Sequence, residues 1–252
     1  TNRSQLIGRN AQGGECRACI GDIIGSVYEF NAWKSREFPL FSEKSEFTDD
    51  TVCTIAVAEC LLDGSDPAAG LRKWCHRYPG RGYGGSFAVW LRDAGMGPYN
   101  SYGNGAAMRV SPAAWLAGNL DEALALARHV TSVTHNHPEG IKGAEATVTA
   151  IWLARQNETP EAIRRWIHEA FDYDLTRSVD EIRPHYRFNE TCQDTVPQAI
   201  VCALEAASFE DAIRNAVSLG GDADTLAAIA GPIAEALFAT ARRSLSAGAD
   251  AH

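Results

Sequence analysis

No apolar run in this chain approaches the roughly 20 residues that a membrane-spanning helix needs, so no transmembrane segment is expected. No basic stripe is present either. The 23 Lys and Arg are outnumbered by 32 Asp and Glu, and the net charge of −9 argues against a nucleic-acid surface. No signal peptide is visible, which makes the cytoplasm the expected location. No Pro/Ser-rich linker or charge run divides the sequence, so residues 1–252 read as one domain. A heptad seam is missing, and a monomer is expected. Strand signals are scarce, because β-branched residues are scattered singly among Ala-rich stretches such as EALALARHV.

Cysteine is present but unorganised. The seven Cys are an odd number and sit mostly in apolar helical patterns, so they read as reduced packing residues. Cys16 and Cys19 form a CxxC with no second CxxC or spaced His pair, and packing on the first helix explains them better than zinc or redox chemistry.

What the chain does hold is helical periodicity. Apolar spacing predicts helices near 14–28, 50–62, 67–77, 85–94, 105–117, 121–133, 138–155, 159–171, 195–206, 208–218 and 224–243, with a polar loop over 172–189. Asp121, Thr159 and Ser208 mark helix starts, and Gly64, Gly80, Gly95 and Gly118 mark stops. With 45% apolar residues to bury, the expected fold is all-α, a single compact orthogonal multi-helix bundle.

Two acidic clusters stand out, FTDDT ending at Thr51 and GGDADT ending at Thr225, each at the start of an apolar helical run. Asp49, Asp50, Asp222 and Asp224, with Thr48 and Thr225, form a set of hard oxygen ligands suited to Mg²⁺ or Mn²⁺. Helix capping explains either cluster alone. Four carboxylates brought together repel one another unless cations join them, so the metal reading requires the fold to unite two distant segments.

Three other segments carry polar or glycine-rich character: GDIIGSVYEF with Glu29, PYNSYGNGAAMR with glycines opening a helix, and THNHPEGIKGAEA with His135 and His137. A glycine-rich turn before a helix presents N–H groups to anions.

In this order, GDxxGSxYE, TDDT, SYGNGAAMR, HNHPEG and SLGGDADTLAAIAG, the chain resembles the ADP-ribosylglycohydrolases of the dinitrogenase-reductase-activating type, from about Gly21 to Glu235. The resemblance implies an all-α fold with a binuclear site holding two Mg²⁺ or Mn²⁺, and cleavage of the N- or O-glycosidic bond between ADP-ribose and a protein side chain. It assigns Thr48, Asp49, Asp50, Asp222, Asp224 and Thr225 to the metals, with Asp224 bridging, and makes Glu29 a mobile catalytic glutamate beside Asp49 and Asp50. It also implies that Ser101, Tyr102, Gly103, Asn104 and Gly105 receive the diphosphate, with Met108 nearby and His135 at a ribose; Tyr99 or Tyr102 would offer an aromatic face. The chemistry expected is development of oxocarbenium-like charge, with ribose hydroxyls oriented at the metals and a water guided by Asp49, Asp50 or Glu29. The implied partner is an ADP-ribosylated protein or small ADP-ribose conjugate, the linkage being arginine or serine, with a lean to mono-ADP-ribosylated protein. A non-catalytic ADP-ribose-binding protein on the same fold and an unrelated metal-dependent phosphohydrolase are the alternatives.

Overall fold

A computed structural model describes residues 17–249, with side chains described to residue 238. Its secondary structure is helical, as the periodicity predicts, and among the described residues the sole β pairing is an isolated bridge between Gly103 and Thr191. None of its helices is long and apolar enough to cross a membrane.

Three helices form the interior, and their sequences show why. In α13 (Ala223–Ala249), every residue from Ala223 to Ala236 is buried, a small-residue surface hydrophobic all round. In α8 (Pro138–Arg155) the run 146–151 is buried without interruption, and in α11 (Cys192–Leu204) so is 195–204. A helix apolar on all faces has to be covered on all faces. The cover comes from amphipathic elements: α7 (Leu120–Thr131), α9 (Pro160–Phe171), whose buried Ile163 and Ile167 share one face, and α12 (Phe209–Ser218).

At the N-terminal side, α1 (Arg17–Gly25) pairs with α13 more extensively than any other two helices pair. Glycine makes that approach possible: a Cβ at Gly21 would lie 2.3 Å from the Ala227 carbonyl oxygen, and one at Gly25 would lie 2.4 Å from the Asp224 Cα. Gly25 therefore sets how close α1 comes to the first turn of α13. Next come α2 (Asp49–Asp63), closed by Gly64 at φ 75°, α3 (Pro67–Arg77) and α4 (Gly85–Arg92).

The structure departs from the sequence-based boundaries in identifiable places. The span 105–117 is two pieces, α5 (Gly105–Met108) and α6 (Ser111–Leu116), because the chain turns at Arg109 and Val110 and Pro112 suits a fresh first turn. The polar loop contains α10 (Val179–Ile182), nucleated by a capping box between Ser178 and Glu181. Pro197 and Pro232 lie inside α11 and α13 and do not end them. Thr159 and Ser208 cap their helices as expected, while Asn119, two residues before Asp121, caps α7. Cys53, Cys60, Cys75, Cys192 and Cys202 are free and buried, but Cys19 is disulfide-bonded, which corrects its reading as a reduced packing residue; Cys16 lies outside the described residues.

Candidate metal centre and substrate cleft

The site assembles where the end of α1, the start of α2, the turn into α5 and the start of α13 meet. Its deepest member is Asp22 on α1, fully buried and accepting four hydrogen bonds. Asp22 Oδ2 accepts from the backbone N–H of Thr48 (2.9 Å) and of Thr51 (3.1 Å) and from the Thr51 hydroxyl, and Oδ1 accepts from the Thr48 hydroxyl at 2.7 Å. One carboxylate thus ties down the first turn of α2 and fixes Thr48, which is also its N-cap.

Two sets of carboxylates converge beside it. Oxygens of Asp22, Asp50 and Asp224 all lie within 4.8 Å of one another, and so do oxygens of Glu29, Asp222 and Asp224. Asp224 belongs to both. Thr225 donates its hydroxyl to Asp50 Oδ2 at 3.4 Å, joining the second acidic cluster to the first. Asp49 lies outside both triplets, though close enough to Asp22 and Asp222 to feel their charge.

Burial and mutual repulsion push these acids up. Asp50 and Asp224 rise well above the ordinary carboxylate range, first through burial and then through their neighbours' charges; Asp22 rises through burial against its four hydrogen bonds. Burial, then Asp22 and Asp222, raise Asp49 to about 7, and burial, then Asp222 and Asp49, bring Glu29 to about 7. Such a cluster is costly without positive charge. Asp50 Oδ1 is buried and has no hydrogen-bond partner, an unsatisfied hard oxygen on a member of the cluster. The donor set fits a divalent cation such as Mg²⁺ or Mn²⁺. The acidic groups are therefore placed to hold a metal.

The loop beside the cluster is built differently from expectation. Asn104 is 7% exposed, and its side-chain amide donates to Asp222 Oδ2 at 2.7 Å and to Thr195 Oγ1 at 3.2 Å. Its backbone N–H donates to Glu190 O, the Ser101 N–H to Thr134 O, and the Gly103 N–H to Ser101 Oγ. Among the described residues, that leaves the N–H groups of Tyr102 and Gly105 as the loop's unengaged donors. Met108 is buried in the core beneath, and Tyr102 is exposed with its ring 5.2 Å from that of His137.

His135 is buried next to this loop. Its Nδ1 lies 2.7 Å from Arg109 Nη2 and from Thr134 Oγ1. Arginine only donates, so Nδ1 accepts, and the proton of the neutral ring sits on Nε2. Burial, then the Arg109 charge, keep His135 neutral, its pKa well below the usual value. Nε2 faces the glycines: a Cβ on Gly105 would stand 3.2 Å from it and one on Gly103 3.5 Å. Tyr99 sits on the other side, with ring centroids 6.1 Å apart.

A family model described as ADP-ribosylglycohydrolase matches residues 13–239. This chain belongs to the ADP-ribosylglycohydrolase family. Among the relatives of this family member, "ADP-ribosylhydrolase ARH3" of Mus musculus is 26% identical, the match covering 88% of this chain and 81% of that protein. "ADP-ribosylarginine hydrolase Tri1" of Pseudomonas putida is also 26% identical, over 90% of this chain and 70% of the relative. A solved structure titled "ADP-ribosylglycohydrolase-related protein complex" superposes with a TM-score of 0.71 at 26% identity, covering 90% of this chain and 87% of that one. The fold and the family membership read from the five motifs are thereby established for this chain.

Two residues escaped the sequence reading. Asp22 stands in the GDxxG motif but looks like one more polar residue on a short helix; full burial of a carboxylate on α1 is visible only in three dimensions. Arg109 closes the SYGNGAAMR motif, yet its 1% exposure and its grip on His135 have no linear signal. Asn104, which the resemblance places at the substrate, holds Asp222 with its side chain.

Proposed function

We propose that this protein is a metal-dependent hydrolase that releases ADP-ribose by cleaving the glycosidic bond joining it to a protein side chain, arginine or serine, or to a small conjugate. It would act as a single-domain monomer in the cytoplasm. The observation that carries the reading is the sharing of Asp224 between two carboxylate triplets, which would suit two cations with a common ligand. The ADP-ribosylhydrolase activity for which relatives of this chain are named supports it.

Thr48, Asp49, Asp50, Asp222, Asp224 and Thr225, with Glu29, would hold two Mg²⁺ or Mn²⁺ ions, which when bound supply Lewis-acid charge beside the terminal ribose. The chain's own residues divide by exposure. Asp50, Asp222 and Asp224 are each at most 5% exposed and serve only to hold charge in place. Glu29 and Asp49 are half-buried, at the face open to an incoming substrate, and are the groups able to take a proton from an attacking water or return one to the departing side chain. Oxocarbenium-like charge at the anomeric carbon would be balanced by the same carboxylates. The diphosphate would accept hydrogen bonds from the Tyr102 and Gly105 N–H groups, with Ser101, Gly103 and Met108 shaping the loop beneath. His135 Nε2–H would meet a ribose hydroxyl, and Tyr99 or Tyr102 would lie against a ribose or the adenine.

Parallel incubation of arginine- and serine-ADP-ribosylated proteins with Mg²⁺, with Mn²⁺ and with excess chelator tests this. Metal-dependent release of free ADP-ribose from one of them is expected and names the linkage. Release of AMP or inorganic phosphate instead, or binding of ADP-ribose with no turnover of either substrate, would overturn it.

A further inference from the structure

A cleft of about 230 Å³ opens between the 177–189 segment and α11, outside the acidic centre. Its rim carries Arg177, His185 and Arg187, and its floor is Ile182, Tyr186 and Gln198, each at most 9% exposed. On a chain of net charge −9 this is a local reversal of sign. One acid, Asp194, also lines it, but its carboxylate already accepts from Asn189 Nδ2 at 3.0 Å and from the Thr191 hydroxyl at 3.5 Å.

Gln198 is the telling residue. The residue as a whole is 8% exposed, it lines the cleft, and among the described residues no hydrogen bond reaches its amide. The amide atoms keep access to solvent through the cleft, so a ligand there can replace water as their partner. Arg187 is pre-set for the same purpose: its Nη1 donates to Tyr186 O at 2.8 Å and to Pro184 O at 3.1 Å, which anchors the guanidinium and leaves its remaining donors for a ligand.

We propose that this cleft is a second anion site that binds a phosphomonoester, its phosphoryl oxygens held by Arg177, Arg187 and Gln198 and its attached sugar or ring lying on Ile182 and Tyr186. Two guanidinium forks and an amide supply more donors than a carboxylate can use, and a cleft of about 230 Å³ has room for more than a bare phosphate. The cleft and the acidic centre share a wall. The Tyr186 ring packs on Gly221, where a Cβ would lie 2.4 Å from it, and Asn189 O accepts from Thr195 Oγ1 (3.2 Å), which in turn accepts from Asn104, the residue that holds Asp222. A continuous hydrogen-bond chain therefore runs from Asn189 at the cleft to Asp222.

The test is an NMR titration following the Gln198 side-chain amide, assigned by its loss in Gln198→Ala. The protein is held with Mg²⁺ and saturating ADP-ribose, so that the probes do not enter the acidic centre. Inorganic phosphate and ribose 5-phosphate are titrated separately into wild type and into an Arg177→Gln/Arg187→Gln double variant, both changes being on exposed side chains. Saturable shifts of the Gln198 amide are expected, with ribose 5-phosphate the tighter probe and the double variant weaker by about tenfold or more, the loss expected for hydrogen bonds to a charged group. Equal affinity for the two probes would overturn the phosphomonoester assignment in favour of free phosphate. Absence of a shift with either probe, or unchanged affinity in the double variant, would overturn the site altogether.

Discussion

Asn104 donates its side-chain amide to Asp222 Oδ2 across 2.7 Å, in an interior where both residues are at most 7% exposed. The bond holds a carboxylate that also has an oxygen within 4.8 Å of oxygens of Glu29 and Asp224. Partners of this kind, standing behind a ligand, typically contribute about 10–100-fold in metal affinity. Asn104→Ala is expected to weaken Mn²⁺ binding by about that factor, read by calorimetry, with Asn104→Asp at least as damaging because it adds a fifth buried acid. Wild-type Mn²⁺ affinity in Asn104→Ala would remove Asn104 from this role.

The sharing of Asp224 makes stoichiometry the sharpest readout of the two-ion arrangement. Asp224→Asn should abolish tight binding of both ions, since each triplet loses a member, whereas Glu29→Gln should weaken one ion and leave the Asp22, Asp50 and Asp224 triplet to hold the other. Metal content after gel filtration checks this. Two tightly held ions in Asp224→Asn would rule out a bridging ligand.

Asp22 serves the structure as much as the metal. Asp22→Ala strands four donors at the start of α2 while removing one charge of a repelling group. Unsatisfied buried donors cost about 1–3 kcal/mol, so a net loss near 2 kcal/mol, about 4–8 °C in melting temperature, is expected. The loss should be seen with chelator present, where a role confined to metal binding would leave stability unchanged or raised.

The pH response of the metal-free protein should run opposite to that of an ordinary salt-bridged protein. Glu29 and Asp49 titrate at about 7, and Asp22, Asp50 and Asp224 are also raised, whereas unfolded carboxylates titrate near 4. Between about pH 4 and 7 the folded state therefore holds more protons than the unfolded one, and its stability falls as pH rises through that window. Thermal melts in chelator should be lower at pH 8 than at pH 5.5, and added Mg²⁺ should recover most of the difference at pH 8, where no proton competes for the ligands. A higher melting temperature at pH 8 in chelator would contradict the buried acidic cluster.

Much of this architecture was legible in the sequence. The all-α class follows from 3.6-residue periodicity and alanine-rich segments, which act locally and so leave a linear trace. The two Asp-Thr clusters were visible because hard ligands at a helix start are a short-range pattern, and Thr48, Asp50, Asp222, Asp224 and Thr225 are indeed brought together. The break between α5 and α6 was missed, because an apolar stripe runs on through Arg109 while the backbone turns there to bury a guanidinium against His135.

The tertiary structure decided the rest: that Asp22 completes the acidic centre, that Asn104 serves Asp222, that Asp49 stands aside from the triplets, and that Arg177, Arg187 and Gln198 line one cleft. Each of these depends on segments far apart in the chain meeting at distances of a few ångströms, and that meeting is set by packing, above all by Gly21 and Gly25 letting α1 close onto α13. Side-chain type and helical period are properties of neighbours in sequence. Electrostatic coupling and hydrogen-bond partnership are properties of neighbours in space, and only the packed interior determines those.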